Sequence, residues 1–338
     1  MLVTQAFSKD SKTLACVPCS YRDKPFVKSG FTVSQKGCSI LNCFGWIIIN
    51  GSIATDKFLD YADMIKDAAA KQGINTICLK NDDLITLLCP KKSTVSSISN
   101  NGKLPDFSFF IDKDIYLARQ LERLGVRVFN SSKAIEISDD KIYTYQMLEK
   151  QQLPIPNTII APKKYHAENL SSCYIQKVID YLGFPMIVKE TFGSFGEQVH
   201  LVHNKEKLTS VISLIGQRPF LFQTYIEESR GRDIRVQVIG DQAITAVERQ
   251  NGQDFRANVT NGGKMLPFTI NDEIEKLAVA AVKAIGADFA GVDLLFGPNN
   301  EWLICEINAN AHIRNLYECT GINAADHMIA YIKKELFQ

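Results

Sequence analysis

The chain has 338 residues, 46% of them hydrophobic and 22% charged, enough length for two or three packed cores of ordinary globular composition. Its 38 basic and 37 acidic residues leave a formal net charge of +1, which gives no electrostatic case for nucleic acid or an acidic membrane as partner. No apolar run reaches the length of a membrane span. The nine cysteines are odd in number and scattered, and the N-terminus lacks the charged-then-apolar order of a signal peptide, so a cytoplasmic protein with free thiols is expected. Cys16, Cys19, Cys38 and Cys43 are irregularly spaced with no histidine nearby, and plain thiols outweigh a zinc site there.

Residues 1–43 carry little apolar periodicity and read as an N-terminal extension. Residues 45–51 (GWIIING) form a buried-strand pattern ending in a glycine turn. A helix is predicted over 58–72, where Phe58, Tyr61, Ala62, Ile65 and Ala69 share one stripe and Gly73 supplies the stop. Strands follow at 74–80, 107–111 and 126–129, with a helix over 115–124. Strands alternating with helices predict a parallel α/β sheet, as a first domain spanning 44–137. Ser138, Asp139 and Asp140 are good N-cap residues for a helix reaching Lys150. Residues 155–225 predict short strands and one helix, 173–182. From Asp233 onward, strands and hairpins precede two helices, 272–285 and 324–336.

Three segments carry chemistry. In PMIVKETFGSFG (185–196), Lys189 ends an apolar strand, where a charge needs a partner such as phosphate. Gly193, Ser194 and Gly196 form a loop whose backbone N–H groups can approach phosphate oxygens. A hairpin turn with a solvated lysine is an equal reading on that motif alone. In FQTYIEESRGRDIR (222–235), Gln223 and the neighbouring backbone could meet an adenine edge and Asp233 a ribose hydroxyl, although a strand and a charged turn would look the same. Arg235, Arg249 and Arg256 fall within about one hairpin of each other and suit carboxylate or phosphate recognition, with surface charge as the bland alternative.

The densest signal is GVDLLFGPNNEWLICEINAN (291–310). If its two apolar runs pair about residues 299 and 300, Asp293 lies opposite Glu306, and Glu306 and Asn308 share a face. Two carboxylates and an amide suit Mg²⁺, a hard cation that takes oxygen ligands together with substrate phosphates. Cys305 is expected on the opposite face, in the core. His312, four residues beyond Asn308, is close to this set; no Ser-His-Asp or Cys-His arrangement is apparent.

Taken in order, these segments resemble the ATP-grasp superfamily, and most closely its RimK-like glutamate ligase branch, from about Phe129 to Ile332. The resemblance implies an α/β pre-ATP-grasp domain (44–137) followed by a two-lobed α+β ATP-grasp domain, its central lid lobe at 138–226 and its metal-bearing C-terminal lobe at 227–338. It implies that Lys141 and Lys189 contact ATP phosphates, that Gln223, Thr224, Tyr225 and Ile226 line the adenine pocket, and that Asp233 meets the ribose. Arg256 and Asn258, with Arg249 nearby, would act on the transferred phosphoryl group, and Asp293, Glu306 and Asn308 would bind two Mg²⁺ or Mn²⁺ ions. The activity implied is ATP-dependent joining of a carboxylate, such as that of an amino acid, to an amine through an acyl-phosphate, by an enzyme that is expected to be a homo-oligomer. The same motifs would serve loading of a carrier protein, or a nucleotide-binding module without catalysis. One departure is clear: glutamate-adding members tend to follow the metal asparagine with Ser-Ser-Pro-Gly, whereas here Asn308 precedes ANAHIRN. That makes Asn310, His312 and Arg314, with Arg235, candidates for substrate recognition and leaves the amino acid open.

Overall fold

The computed structural model describes residues 43–53, 55–97, 103–166, 170–193, 196–257 and 263–337. The N-terminal extension, the cysteines at 16, 19 and 38, and the site candidates Ser194 and Asn258 lie outside the described residues.

Strand β1 (Phe44–Ile49) leads into helix α1 (Asp56–Lys71) and returns as β2 (Asn75–Lys80). A hairpin of β3 (Leu84–Leu87) and β4 (Thr94–Ser97), not foreseen from the sequence, precedes β5 (Phe107–Ile111), α2 (Ile115–Arg123) and β6 (Arg127–Phe129). The first sheet has the order β2-β1-β5-β6, with every pairing parallel. Burial on both faces explains the unbroken apolar run of β1. Ile47 and Ile49 pack toward α1, while Trp46 and Ile48 pack on the other side with Leu117 and Leu121 of α2.

Helices α3 (Ser132–Asp139) and α4 (Lys141–Lys150) meet at Asp140, whose Oδ1 accepts a hydrogen bond from the Tyr143 N–H at 2.9 Å. The predicted cap is real, and it opens α4 one residue before Lys141. The second sheet is antiparallel, ordered β7-β10-β8-β9, from β7 (Thr158–Ile160), β8 (Met186–Glu190), β9 (Val199–Val202) and β10 (Phe220–Thr224). Two helices cover it, α5 (Ser172–Leu182) and α6 (Lys205–Ile215), where one was predicted. The signal for α6 lay in Leu208, Val211, Ile212 and Ile215, which form its buried stripe, behind the N-cap Asn204.

The third sheet is antiparallel, ordered β13-β12-β11-β14-β15. Its strands are β11 (Arg232–Ile239), β12 (Gln242–Gln250), β13 (Lys264–Phe268), β14 (Phe289–Phe296) and β15 (Trp302–Asn308). Pro267 in β13 is tolerated because β13 is an edge strand. Helix α7 (Asp272–Ile285) and α4 cover one face. A short helix not foreseen from the sequence, α8 (Arg314–Thr320), follows β15, and α9 (Ala324–Phe337) packs on α1. Phe289 and Ile313 join that same core, so the first and third sheets share it. No described helix is long and apolar enough to cross a membrane.

Candidate active site

The three sheets converge on a cleft of about 610 Å³, within the range of nucleotide and substrate sites. The C-terminal ends of β1 and β5 supply one wall, where ligands bind in open α/β sheets. The strand and glycine loop around Lys189 supply a second, and β11, β12, β14 and β15 the floor. Among the described lining residues eight cationic side chains face five carboxylates, an excess that suits a polyanion.

Strands β14 and β15 fold back through a tight turn in which Asn299 and Asn300 adopt positive φ, and Asp293 pairs directly with Glu306. Asn308 follows on the same face, and all three line the cleft. The register shifts after Asp293, so Leu294 pairs with Ile304 and Cys305 is the extra residue of a β-bulge. That bulge overturns the expected burial of Cys305 in the core: its Sγ lies 3.7 Å from the Lys189 Nζ and the side chain faces the cleft. Strict alternation fails at a bulge because two residues oppose one.

Lys189, 7% exposed, is held by Tyr145, whose hydroxyl accepts from Nζ at 3.1 Å and donates to the Cys305 carbonyl at 2.6 Å. Tyr145 is a residue that the sequence offered no reason to single out. Lys141 donates to the Gly193 carbonyl at 2.9 Å; burial lowers its pKa, and the negative charge of Glu306 works in the other direction. Gly193 has φ +132°, and a Cβ there would lie 2.2 Å from the Gln198 side chain, so the close approach of Lys141 and Gln198 requires glycine.

The three arginines do different things. Arg235 binds Asp293 with two hydrogen bonds of 2.7 Å. Arg249, 4% exposed, binds both oxygens of Asp233 and also contacts Asp293 at 2.9 Å. Burial opposes the charged form of Asp293, but Arg235 and Arg249 outweigh it and hold the carboxyl below its usual range. Asp233 lines the cleft with both oxygens bonded to Arg249, and so pins Arg249 beside Asp293. Arg256 lines the cleft, paired with Asp254 and donating to the Gly196 carbonyl.

Gln223, Thr224, Tyr225 and Ile226 line the far end. Gln223 donates to Thr158 at 2.9 Å, and the buried Tyr225 hydroxyl has no partner among the described residues. Beyond Asn308 the candidates separate. Asn310 donates to the Asp112 carbonyl at 2.9 Å and lines the cleft. His312 also lines it, wedged against Phe58 and Tyr61; burial first, then the cations Lys57 and Arg235, lower its pKa to about 4. Arg314 does not reach the cleft. Its guanidinium chelates Asp60 of α1, a partner 254 residues away that spacing could not reveal.

A hard cation fits the floor: Asp293 and Glu306 offer oxygens across one strand pair, and the Asn308 side-chain nitrogen is buried without a partner. Rotating the amide by half a turn would bring its oxygen into the same position.

A cationic cleft with facing carboxylates on its floor fits an ATP-grasp ligase. Residues 138–332 match the RimK-like ATP-grasp domain, and the chain belongs to that family. It is 35% identical over 294 residues to a probable alpha-L-glutamate ligase of Enterobacter sp. (strain 638), covering 83% of this chain and 94% of the relative. It is 34% identical over 210 residues to the human N-acetylaspartylglutamate synthase A, covering 62% and 52%. The fold matches the ATP-grasp ligase PsnB solved with minimal precursor, Mg and ADP (TM-score 0.64, 15% identity, 87% of this chain and 98% of that one).

Proposed function

We propose that this enzyme joins the carboxylate of an amino acid to an amine at the expense of ATP, passing through an acyl-phosphate. The observation that carries the reading is the single cleft in which Asp293, Glu306 and Asn308 lie across from Lys141 and Lys189. In it, Gln223 to Ile226 would receive the adenine, with the Tyr225 hydroxyl gaining its missing partner. Lys141 and Lys189 would hold the phosphates as fixed positive charge in a site shielded from water. Arg256, released from the glycine loop, would face the transferred phosphoryl group, with Ser194 and Asn258 beside it as the family motif implies. Asp293, Glu306 and Asn308 would hold two divalent ions, which when bound neutralise phosphate oxygens during transfer. Arg249 is a positioning residue: nearly fully buried, it fixes the Asp293 carboxylate.

The chemistry balances without a protein nucleophile. A carboxylate oxygen takes the γ-phosphoryl group and ADP leaves; the amine nitrogen then attacks the acyl carbon, phosphate leaves, and one proton is released. Glutamate is the first amino acid to try, because relatives are named for it; the cleft's ANAHIRN rim differs from the Ser-Ser-Pro-Gly of glutamate-adding members.

Incubation with ATP, Mg²⁺ and a matrix of the common amino acids should yield ADP and phosphate together with a product of mass equal to the two substrates less water. Glu306→Gln should lower this rate by about a hundredfold or more while unfolding at the same urea concentration. AMP and pyrophosphate as products, or full activity in the Gln variant, would refute the reading. Asp293→Asn is a poorer probe, since it weakens the partner of two inward-facing arginines and costs stability as well.

A further inference from the structure

The cleft's excess of positive charge favours ATP but repels an acceptor, because most amines arrive as ammonium ions. An amine therefore needs a local anionic partner. Among the described carboxylates lining the cleft, Asp139 is paired with Lys113, Asp233 with Arg249, and Asp293 with Arg235 and Arg249. Glu306 lies in the field of Lys141 and Lys189. Asp112 differs: among the described residues no lysine, arginine or histidine forms an ion pair with it. It is 7% exposed, Oδ1 accepts from Asn50 Nδ2 at 3.1 Å and from the Lys113 N–H, and Oδ2 is buried with no hydrogen-bond partner among the described residues.

Its placement is equally specific. Ile49 and Ile111 are register partners on neighbouring parallel strands, so Asn50 and Asp112 emerge side by side at the C-terminal edge of the first sheet. The Asn310 side chain ties the Asp112 backbone to the loop two residues beyond Asn308. Asp112 is thus fastened to the loop that directly follows Asn308, within the same cleft. A buried carboxylate oxygen without a partner is costly, and an ammonium donor removes that cost.

We propose that Asp112 receives the amino group of the acceptor as an ammonium ion, which gives up one proton to solvent before its nitrogen attacks the acyl carbon, and that Asp112 thereby selects for a cationic amine. This rests on the ligase reading above and adds the subsite that reading lacks. Asp112 determines specificity; it takes no part in phosphoryl transfer, which belongs to the floor and the two lysines.

The test compares two nucleophiles in wild type and Asp112→Asn, with ATP, Mg²⁺ and the common amino acids as carboxylate and amine probes. Hydroxylamine, uncharged at slightly alkaline pH, intercepts an acyl-phosphate as a hydroxamate without needing an ammonium site. The Asn variant should form hydroxamate at the wild-type rate, which also shows that it is folded, while its KM for the amine rises at least about tenfold and its KM for ATP is unchanged. Asp112→Glu should recover part of the amine affinity. Equal amine KM in wild type and Asn variant, or a wild type that uses hydroxylamine but no cationic amine, overturns the proposal. Absence of hydroxamate from wild type with every amino acid would instead overturn the underlying ligase reading.

Discussion

At the residue scale, the cleft's carboxylates were easy to find and their partners were not. The facing of Asp293 and Glu306 follows from a turn of two asparagines between apolar runs, a local signal. The arginines that hold Asp293 come from two other strands, and the Asp60 that removes Arg314 from the cleft comes from a different sheet layer; contacts of that separation leave no periodicity in sequence. His312 shows what placement changes. As a residue near the metal set it looked like a substrate ligand, whereas the structure packs it as a neutral ring between Phe58 and Tyr61, facing the charges of Lys57, Arg235 and Asp60. Its pKa near 4 lies below the unfolded value of 6.5, so the unfolded chain binds the proton more tightly between those limits. Stability is then intact above about pH 6.5 and is lost as pH falls toward 4. Between pH 7 and pH 5 this group alone should remove about 2 kcal/mol of unfolding free energy. His312→Phe should show a correspondingly smaller loss in urea unfolding at the two pH values; an identical loss would show that His312 is solvated and free to titrate.

At the element scale, strands and long amphipathic helices were readable because one face of each is apolar throughout. What the sequence hid were local features: the bulge at Cys305, helix α3 and short α8. It also hid Asn130, the residue just past β6. Fully buried, Asn130 donates to the carbonyls of Phe289 and Ala309 and accepts from the backbone N–H groups of Asp288 and Phe289. One side chain thereby fastens the first sheet to the start of β14 and to the residue after Asn308. Four buried backbone groups depend on it, and each group left unsatisfied costs about 1–3 kcal/mol. Asn130→Ala should therefore destabilise the fold by about 3 kcal/mol or more in urea titrations, although Asn130 does not itself line the cleft. A loss under about 1 kcal/mol would mean that water or backbone shifts replace those bonds.

At the scale of the whole molecule, the cleft is assembled from every layer of the fold. The shared core of α1, α9, Phe289 and Ile313 joins the parallel sheet to the sheet carrying the carboxylates, so the Asp112 wall and the floor are held as one unit. The carbonyls of Gly193 and Gly196 are tied to Lys141 and Arg256. The order of motifs along the chain foretold this family and the ligase class; the substrate-facing wall, built from strand ends whose side chains meet only in three dimensions, it could not foretell. The central claim is that a carboxylate oxygen attacks the γ-phosphorus of ATP. Oxygen-18 supplied in the carboxylate of the amino acid substrate decides it: one labelled oxygen should appear in the phosphate released per turnover, and phosphate free of label while the amide product accumulates would contradict the account.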